Sequence, residues 1–173
     1  MPQWYVITGA PCSGKSTVLK GLAARDYTVI PEVARLYIDE SLEAGIPVET
    51  LRADEVAFQR EILTRKIALE AKLPRTDTLF FDRGIPDSHA YLKFLAVTDE
   101  ALLSQSLGGS YAKVFLLDPC PYKADYARTE SPEDQMTLHH LLREAYEKAR
   151  FEIVSVPVFE TKDARVDFIL KHL

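Results

Sequence analysis

The stretch Gly9-Ala10-Pro11-Cys12-Ser13-Gly14-Lys15-Ser16 constrains this chain more than any other. It reads G-x-x-x-x-G-K-S, a spacing that builds a cradle for phosphate groups. Its surroundings suit that use. Trp4 to Thr8 before it is apolar and rich in β-formers, so it reads as a strand. After it, apolar residues at 18, 19, 22 and 23 recur at helical spacing. Gly9 and Gly14 let the backbone approach a ligand closely. Successive backbone N–H groups form a concave nest, and the helix N-terminus adds unpaired donors and the positive end of its dipole. Lys15 supplies a point charge for β- and γ-phosphates, and the Ser16 hydroxyl is placed to ligate Mg²⁺. The expected phosphate-binding set is Gly9, Ala10, Pro11, Cys12, Ser13, Gly14, Lys15, Ser16 and Thr17.

Bulk properties narrow the rest. A chain of 173 residues suits one domain with a real core, and we read 1–173 as that single domain. Net charge is -5, so no general basic surface attracts nucleic acid or anionic membrane, and no nucleic-acid partner is expected. Cys12 and Cys120 make neither a disulfide framework nor a metal cluster. Residues 1–10 lack a signal-peptide pattern, and no apolar run approaches the length of a membrane span. A reducing cytoplasm is the expected location.

Further along, residues 26–30 read as a second strand, followed by a helix running to about Glu43. Glu32 falls just past that strand's C-terminal end, an edge that faces the ligand crevice in open α/β sheets. It also suits a solvated first-turn glutamate, and position alone leaves both readings open. Pro47 to Leu73 carries one long helical pattern with Thr50 as N-cap, and Gln59 and Arg60 read as surface residues first and as substrate contacts second. Thr78-Leu79-Phe80-Phe81-Asp82 is a buried-type strand ending in an acid that is placed to support Mg²⁺. Arg83 directly after it points to phosphate or to a carboxylate partner, unless the pair is a structural turn. Pro86 at a helix start leads into a helix over 87–97, and 99–107 forms another. Residues 112–118 read as a strand. The polar, proline-punctuated segment 119–132 reads as a lid carrying Lys123 and Arg128, or else as an exposed loop with solvated charges. Ser131 with Asp134 resembles a capping box for a helix to about Arg150. A fifth strand over 151–156 and a final helix capped by Thr161 or Asp163 complete the chain. His89, His139 and His140 read as structural, and Cys12 as a permissive position of the loop.

Together, GAPCSGKS at 9–16, PEVAR at 31–35, FFDRGIPD at 80–87, and FLLDP with Asp125 and Arg128 over 115–128 resemble a known group. The chain is similar to small bacterial AAA-type P-loop ATPases related to the ribosylnicotinamide-kinase domain of NAD-metabolism regulators. It is more distantly similar to nucleoside and nucleotide kinases. The resemblance implies a three-layer α/β fold with a five-stranded parallel sheet and a lid. It also implies ATP and Mg²⁺ as cofactors. Carried onto this sequence, it makes Asp82 and Ser16 the Mg²⁺ ligands, Glu32 a base toward an acceptor hydroxyl, Arg83 part of an acid-arginine motif, and Arg128 the lid arginine. Lys15, Glu32, Arg83 and Arg128 are thus the expected catalytic residues. An oligomeric AAA+ motor is disfavoured because Arg83 stands where a water-activating glutamate is needed. The guanine-reading N-K-x-D motif of Ras-like GTPases is absent, because the chain has no asparagine. The expected activity is phosphoryl transfer to a small hydroxyl-bearing, nucleoside-like metabolite. The acceptor would sit among residues 32–39, 55–60 and 83–91. The competing expectation is a regulatory nucleotide switch on the same phosphate site.

Overall fold

The computed structural model describes residues 3–120 and 131–173. Five parallel strands make the sheet: β1 (Trp4–Thr8), β2 (Thr28–Ile30), β3 (Leu79–Asp82), β4 (Lys113–Leu117) and β5 (Ile153–Val156), in the order β2-β3-β1-β4-β5. The helices between them are α1 (Lys15–Ala23), α2 (Val33–Glu43), α3 (Val48–Leu51), α4 (Glu55–Glu70), α5 (Ile85–Phe94), α6 (Glu100–Gln105), α7 (Pro132–Lys148) and α8 (Lys162–Lys171).

Strand alternation sorts the core into two faces. Tyr5, Ile7, Phe80, Phe115 and Leu117 pack against α1 and α8 through Val18, Leu22, Val166 and Ile169. Trp4, Val6, Leu79, Phe81 and Val114 point the other way, toward Tyr111 and the α7 residue Tyr146. Leu116 joins Ala90 of α5 and Leu142 and Ala145 of α7 on that second face. With helices on both faces, the central strands are apolar throughout, as a buried parallel sheet requires. The observed architecture is therefore the expected three-layer α/β P-loop fold. Register then sets the direction of the strand-end residues. Ile7 pairs with Asp82, so the acid leaves the sheet on the α1 side, while Thr8 faces α5.

Three expectations on the 47–73 stretch are corrected. The pattern is two helices, α3 and α4, interrupted at 52–54. Asp54 caps α4 by accepting the Ala57 N–H at 2.9 Å, while Thr50 lies inside α3. A carboxylate placed three residues before an amide at a helix start outcompetes a threonine that has no such amide to bind. Gln59 is buried at 7% exposure rather than on the surface, whereas Arg60 is exposed beside Asp99. Other helix boundaries shift by one to three residues. The Ser131–Asp134 capping box and the Thr161 cap are both present. Most of the expected lid, with Lys123 and Arg128, lies outside the described residues. Among the described residues no helix is long and apolar enough to cross a membrane.

The cap assignment is testable by denaturant unfolding. Asp54→Ala is expected to lower stability by about 1 kcal/mol. Thr50→Ala is expected to stay within about 0.5 kcal/mol.

Candidate active site

The P-loop leaves β1 and enters α1 through Gly14, whose φ of 81° is the left-handed conformation a side chain would oppose. No side chain caps α1, and its first turn holds no acid. The first-turn amides and the positive dipole end therefore remain available to an anion. Lys15 folds back over the loop, its Nζ donating to the Gly9 carbonyl at 2.9 Å and to the Ala10 carbonyl at 3.4 Å. Burial, aided by the nearby Arg83 charge, lowers its pKa to about 8 against the pull of Glu32, Asp82 and Asp87.

Glu32 and Arg83 arrive from neighbouring strands. Glu32 follows β2 at the N-cap of α2, and Arg83 follows β3 in the left-handed region at φ 68°. Arg83 Nε donates to Glu32 at 2.9 Å, and its NH1 donates to Asp87 at 3.0 Å. Burial opposes ionisation of Glu32, yet Arg83, Lys15 and Lys66 outweigh it and hold the carboxyl below its ordinary range. Asp82 goes the other way. Burial, reinforced by Glu32, lifts it to about 6.

Asp87 is fully buried and ties the region together. It accepts from Thr8 Oγ1 at 2.6 Å, from Arg83, from the Gly84 N–H at 3.0 Å and from the Tyr146 hydroxyl. Tyr111 accepts from the Ile85 N–H at 2.8 Å and donates to Glu70. The two tyrosine hydroxyls crowd Gly84: a Cβ there would come within 2.8 Å of Tyr146 and 2.9 Å of Tyr111. Lys66, buried on α4, donates to the Gly84 carbonyl at 2.8 Å and to Ser88 at 3.3 Å. His89 bonds the Leu103 carbonyl and Ser106, which is a structural role.

A cleft of about 710 Å³ joins these groups. Residues 11–17 of the P-loop line it together with Glu32, Asp82, Arg83, Phe58, Gln59, Ile62 and Tyr91. The cleft as a whole draws on all three of the segments expected to bound an acceptor, through residues such as Arg35, Phe58 and Tyr91. Lys15, Ser16, Glu32, Asp82 and Arg83 thus share one cavity, while Arg128 lies outside the described residues.

Sequence reasoning passes over Lys66, and it includes Asp87 and Gln59 only as members of the segments expected to bound an acceptor. Lys66 and Gln59 carried a readable signal. With Ile62, Leu63 and Glu70 they recur at i, i+3, i+4 and i+7 on the face of α4 that turns inward. Polar residues at core positions of a helix need a polar destination.

The donor set fits Mg²⁺. Asp82 Oδ1 is buried without a hydrogen-bond partner, and Ser16 lies exposed in the first turn of α1. No group of three or more His, Cys, Asp or Glu among the described residues forms a metal cage. Hard oxygen donors in small number suit a cation that keeps water and phosphate as its other ligands.

A family model described as "AAA domain" matches residues 4–164, nearly the whole chain. The chain belongs to this AAA domain family. No curated protein matches it. Among solved structures it is similar to NadR in complex with NR, at 16% identity and TM-score 0.68 over 98% of this chain. This chain spans about half of that one, 51%. It is also similar to deoxyadenosine kinase from M. mycoides with bound dATP, at 16% identity and TM-score 0.64, with 98% of each chain covered. Thymidylate kinase from Candida albicans aligns at 17% identity and TM-score 0.66 over 98% of this chain and 90% of its own. At these identities the likeness establishes the fold, that of small P-loop kinases.

The raised Asp82 pKa has a stability consequence. Between its unfolded value near 3.8 and its folded value of about 6, the folded state holds more protons, so stability falls as pH rises through that window. Asp82→Asn is expected to stabilise the ligand-free protein at pH 8, by up to about 3 kcal/mol. The gain is expected to vanish below pH 4. Urea unfolding at the two pH values measures it.

Proposed function

We propose that this chain, read as one domain, binds ATP with Mg²⁺ and transfers the γ-phosphoryl group to a hydroxyl of a small nucleoside-like acceptor. The observation that carries this reading is the Glu32–Arg83 pair. It lines the same cleft as the P-loop, together with Phe58, Gln59, Ile62 and Tyr91.

The loop amides from Gly9 to Thr17 hold the phosphate chain, and Lys15 exchanges its carbonyl partners for the β- and γ-phosphate oxygens. Ser16 and Asp82 would hold Mg²⁺, which supplies charge neutralisation at those oxygens. Glu32 is ionised through the neutral range, so it accepts a hydrogen bond from the acceptor hydroxyl and aims that oxygen at phosphorus. Arg83 fixes the rotamer of Glu32. The acceptor oxygen forms a bond to the γ-phosphorus as the bond to the β-bridging oxygen breaks. Glu32 receives the acceptor's proton late, as its low basicity requires. Arg128 would neutralise charge on the transferred group from the 119–132 segment. Catalysis is then mostly positioning and charge placement.

Charge balance favours an acceptor without a phosphate of its own. Among the cleft's lining residues, Lys15, Arg35, Lys66 and Arg83 stand against Glu32, Asp39, Asp82 and Asp87, and Arg52 is paired with Glu55. Arg83 is occupied by two carboxylates. Little positive charge remains for an acceptor phosphate. The like charge of the carboxylates would oppose one.

Two measurements test the reading. Calorimetry is expected to give Mg·ATP binding in the wild type that weakens at least tenfold in Lys15→Ala; equal affinity removes the phosphate-site reading. Incubation with ATP and a panel of nucleosides and their 5′-monophosphates is expected to yield phosphorylated nucleosides. Glu32→Gln is expected to lower kcat by about 10² or more. Nucleotide binding with no transfer to any hydroxyl in the panel favours a regulatory switch instead.

A further inference from the structure

On the protein side of the P-loop, away from the cleft, lies a cation that no part of the proposed reaction uses. Arg165 sits in the first turn of α8 and is buried at 6% exposure. Its NH1 donates to the Ser13 carbonyl at 2.6 Å, inside the P-loop. Its NH2 donates to the Asp118 carbonyl at 3.0 Å and to the Val156 carbonyl at 3.1 Å. These are the C-terminal ends of β4 and β5. The same NH1 lies 3.7 Å from the Cys120 sulfur and would be 3.1 Å from a Cβ placed on Gly14. Arg165 Nε has no partner, and no carboxylate pairs with the guanidinium among the described residues.

A buried arginine whose partners among the described residues are three carbonyls and the Cys120 sulfur is an expensive arrangement. Removing an ion from water costs several kcal/mol, normally offset by an opposite charge. Here the carbonyl dipoles supply part of that compensation. The other side of the loop, where amides converge, is where an anion would supply the rest. One guanidinium also bonds three chain segments at once, which a lysine's point charge cannot reproduce in the same plane.

Resting on the nucleotide-site reading above, we propose that Arg165 is a positioning residue of the phosphate site. It orients the Ser13 carbonyl away from the cleft, so that the loop's amides face into it. It locks the P-loop to the ends of β4 and β5, and its charge adds to the attraction for a polyphosphate. The ligand class it serves is a nucleoside di- or triphosphate. Its effect grows with the number of phosphates in the loop.

The test compares wild type, Arg165→Gln and Arg165→Lys by calorimetry with Mg·ATP, Mg·ADP and adenosine, well below each variant's Tm. In Arg165→Gln the Kd for Mg·ATP is expected to rise at least tenfold, that for Mg·ADP less, and that for adenosine by under twofold. Arg165→Lys is expected to recover part of the loss, because it keeps the charge and loses the three-way bonding. A merely structural role lowers Tm and weakens all three ligands alike, or none. Either pattern overturns the proposal, as does a folded Arg165→Gln protein with wild-type Mg·ATP affinity. If Arg165→Gln does not fold, Arg165→Lys decides: unchanged Mg·ATP and Mg·ADP affinities overturn the proposal, and a loss graded by phosphate number supports it. A wild type that binds no Mg·ATP defeats the nucleotide-site reading itself. Wild-type binding with no effect of either variant defeats only the role of Arg165.

Discussion

The arrangement of the site rests on one shared guanidinium. Arg83 bonds Glu32 on one side and Asp87 on the other, and all three groups are partly or fully withdrawn from water. Burial alone would drive both carboxylates toward the neutral form, and Arg83 is the leading charge that opposes it at each, helped by Lys66 at both, by Lys15 at Glu32, and by the Thr8 and Tyr146 hydroxyls at Asp87. Because the pairings are hydrogen-bonded as well as ionic, geometry is set before any ligand arrives. Removing one member would leave its neighbours as uncompensated buried charges, which is far worse than never having had the pair.

The scaffold explains how residues so distant in sequence meet. In a parallel sheet every strand points the same way, so all the C-terminal ends open on one edge. The P-loop, Glu32, Asp82 and the Asp118 carbonyl each follow a strand at that edge. The layer behind supplies rigidity rather than chemistry. Tyr111 and Tyr146 reach from beneath to hold the first amides of α5, and Asp87 closes the same turn through its capping position. The Arg83 backbone, held in the left-handed region, is thus fastened on both sides.

Much of this was legible before any coordinates. The G-x-x-x-x-G-K-S spacing, the apolar run ending at Asp82 and the acid after the second strand each carry a local signature, and each falls in the same cleft. What escaped was long-range. Asp87 looks like an ordinary first-turn acid until Thr8 and Tyr146, 79 and 59 residues away, are seen to bond it. Gln59 looked solvent-facing because a polar side chain on a long helix usually is. The break at 52–54 was hidden because the apolar spacing continues across it while the cap is a matter of one carboxylate. Arg165 carries no sequence signal, since its partners are main-chain carbonyls that any residue could offer.

The pairing of Ile7 with Asp82 has a further consequence. Side chains alternate across a strand, so adding or deleting one residue within β3 would swing that acid to the opposite layer and bring Arg83 round in its place. Residue count inside 79–82 therefore acts as a ruler for the sheet edge that opens on the cleft. The turn at 71–78 has no such duty, and can lengthen or shorten while the chemistry stays aligned.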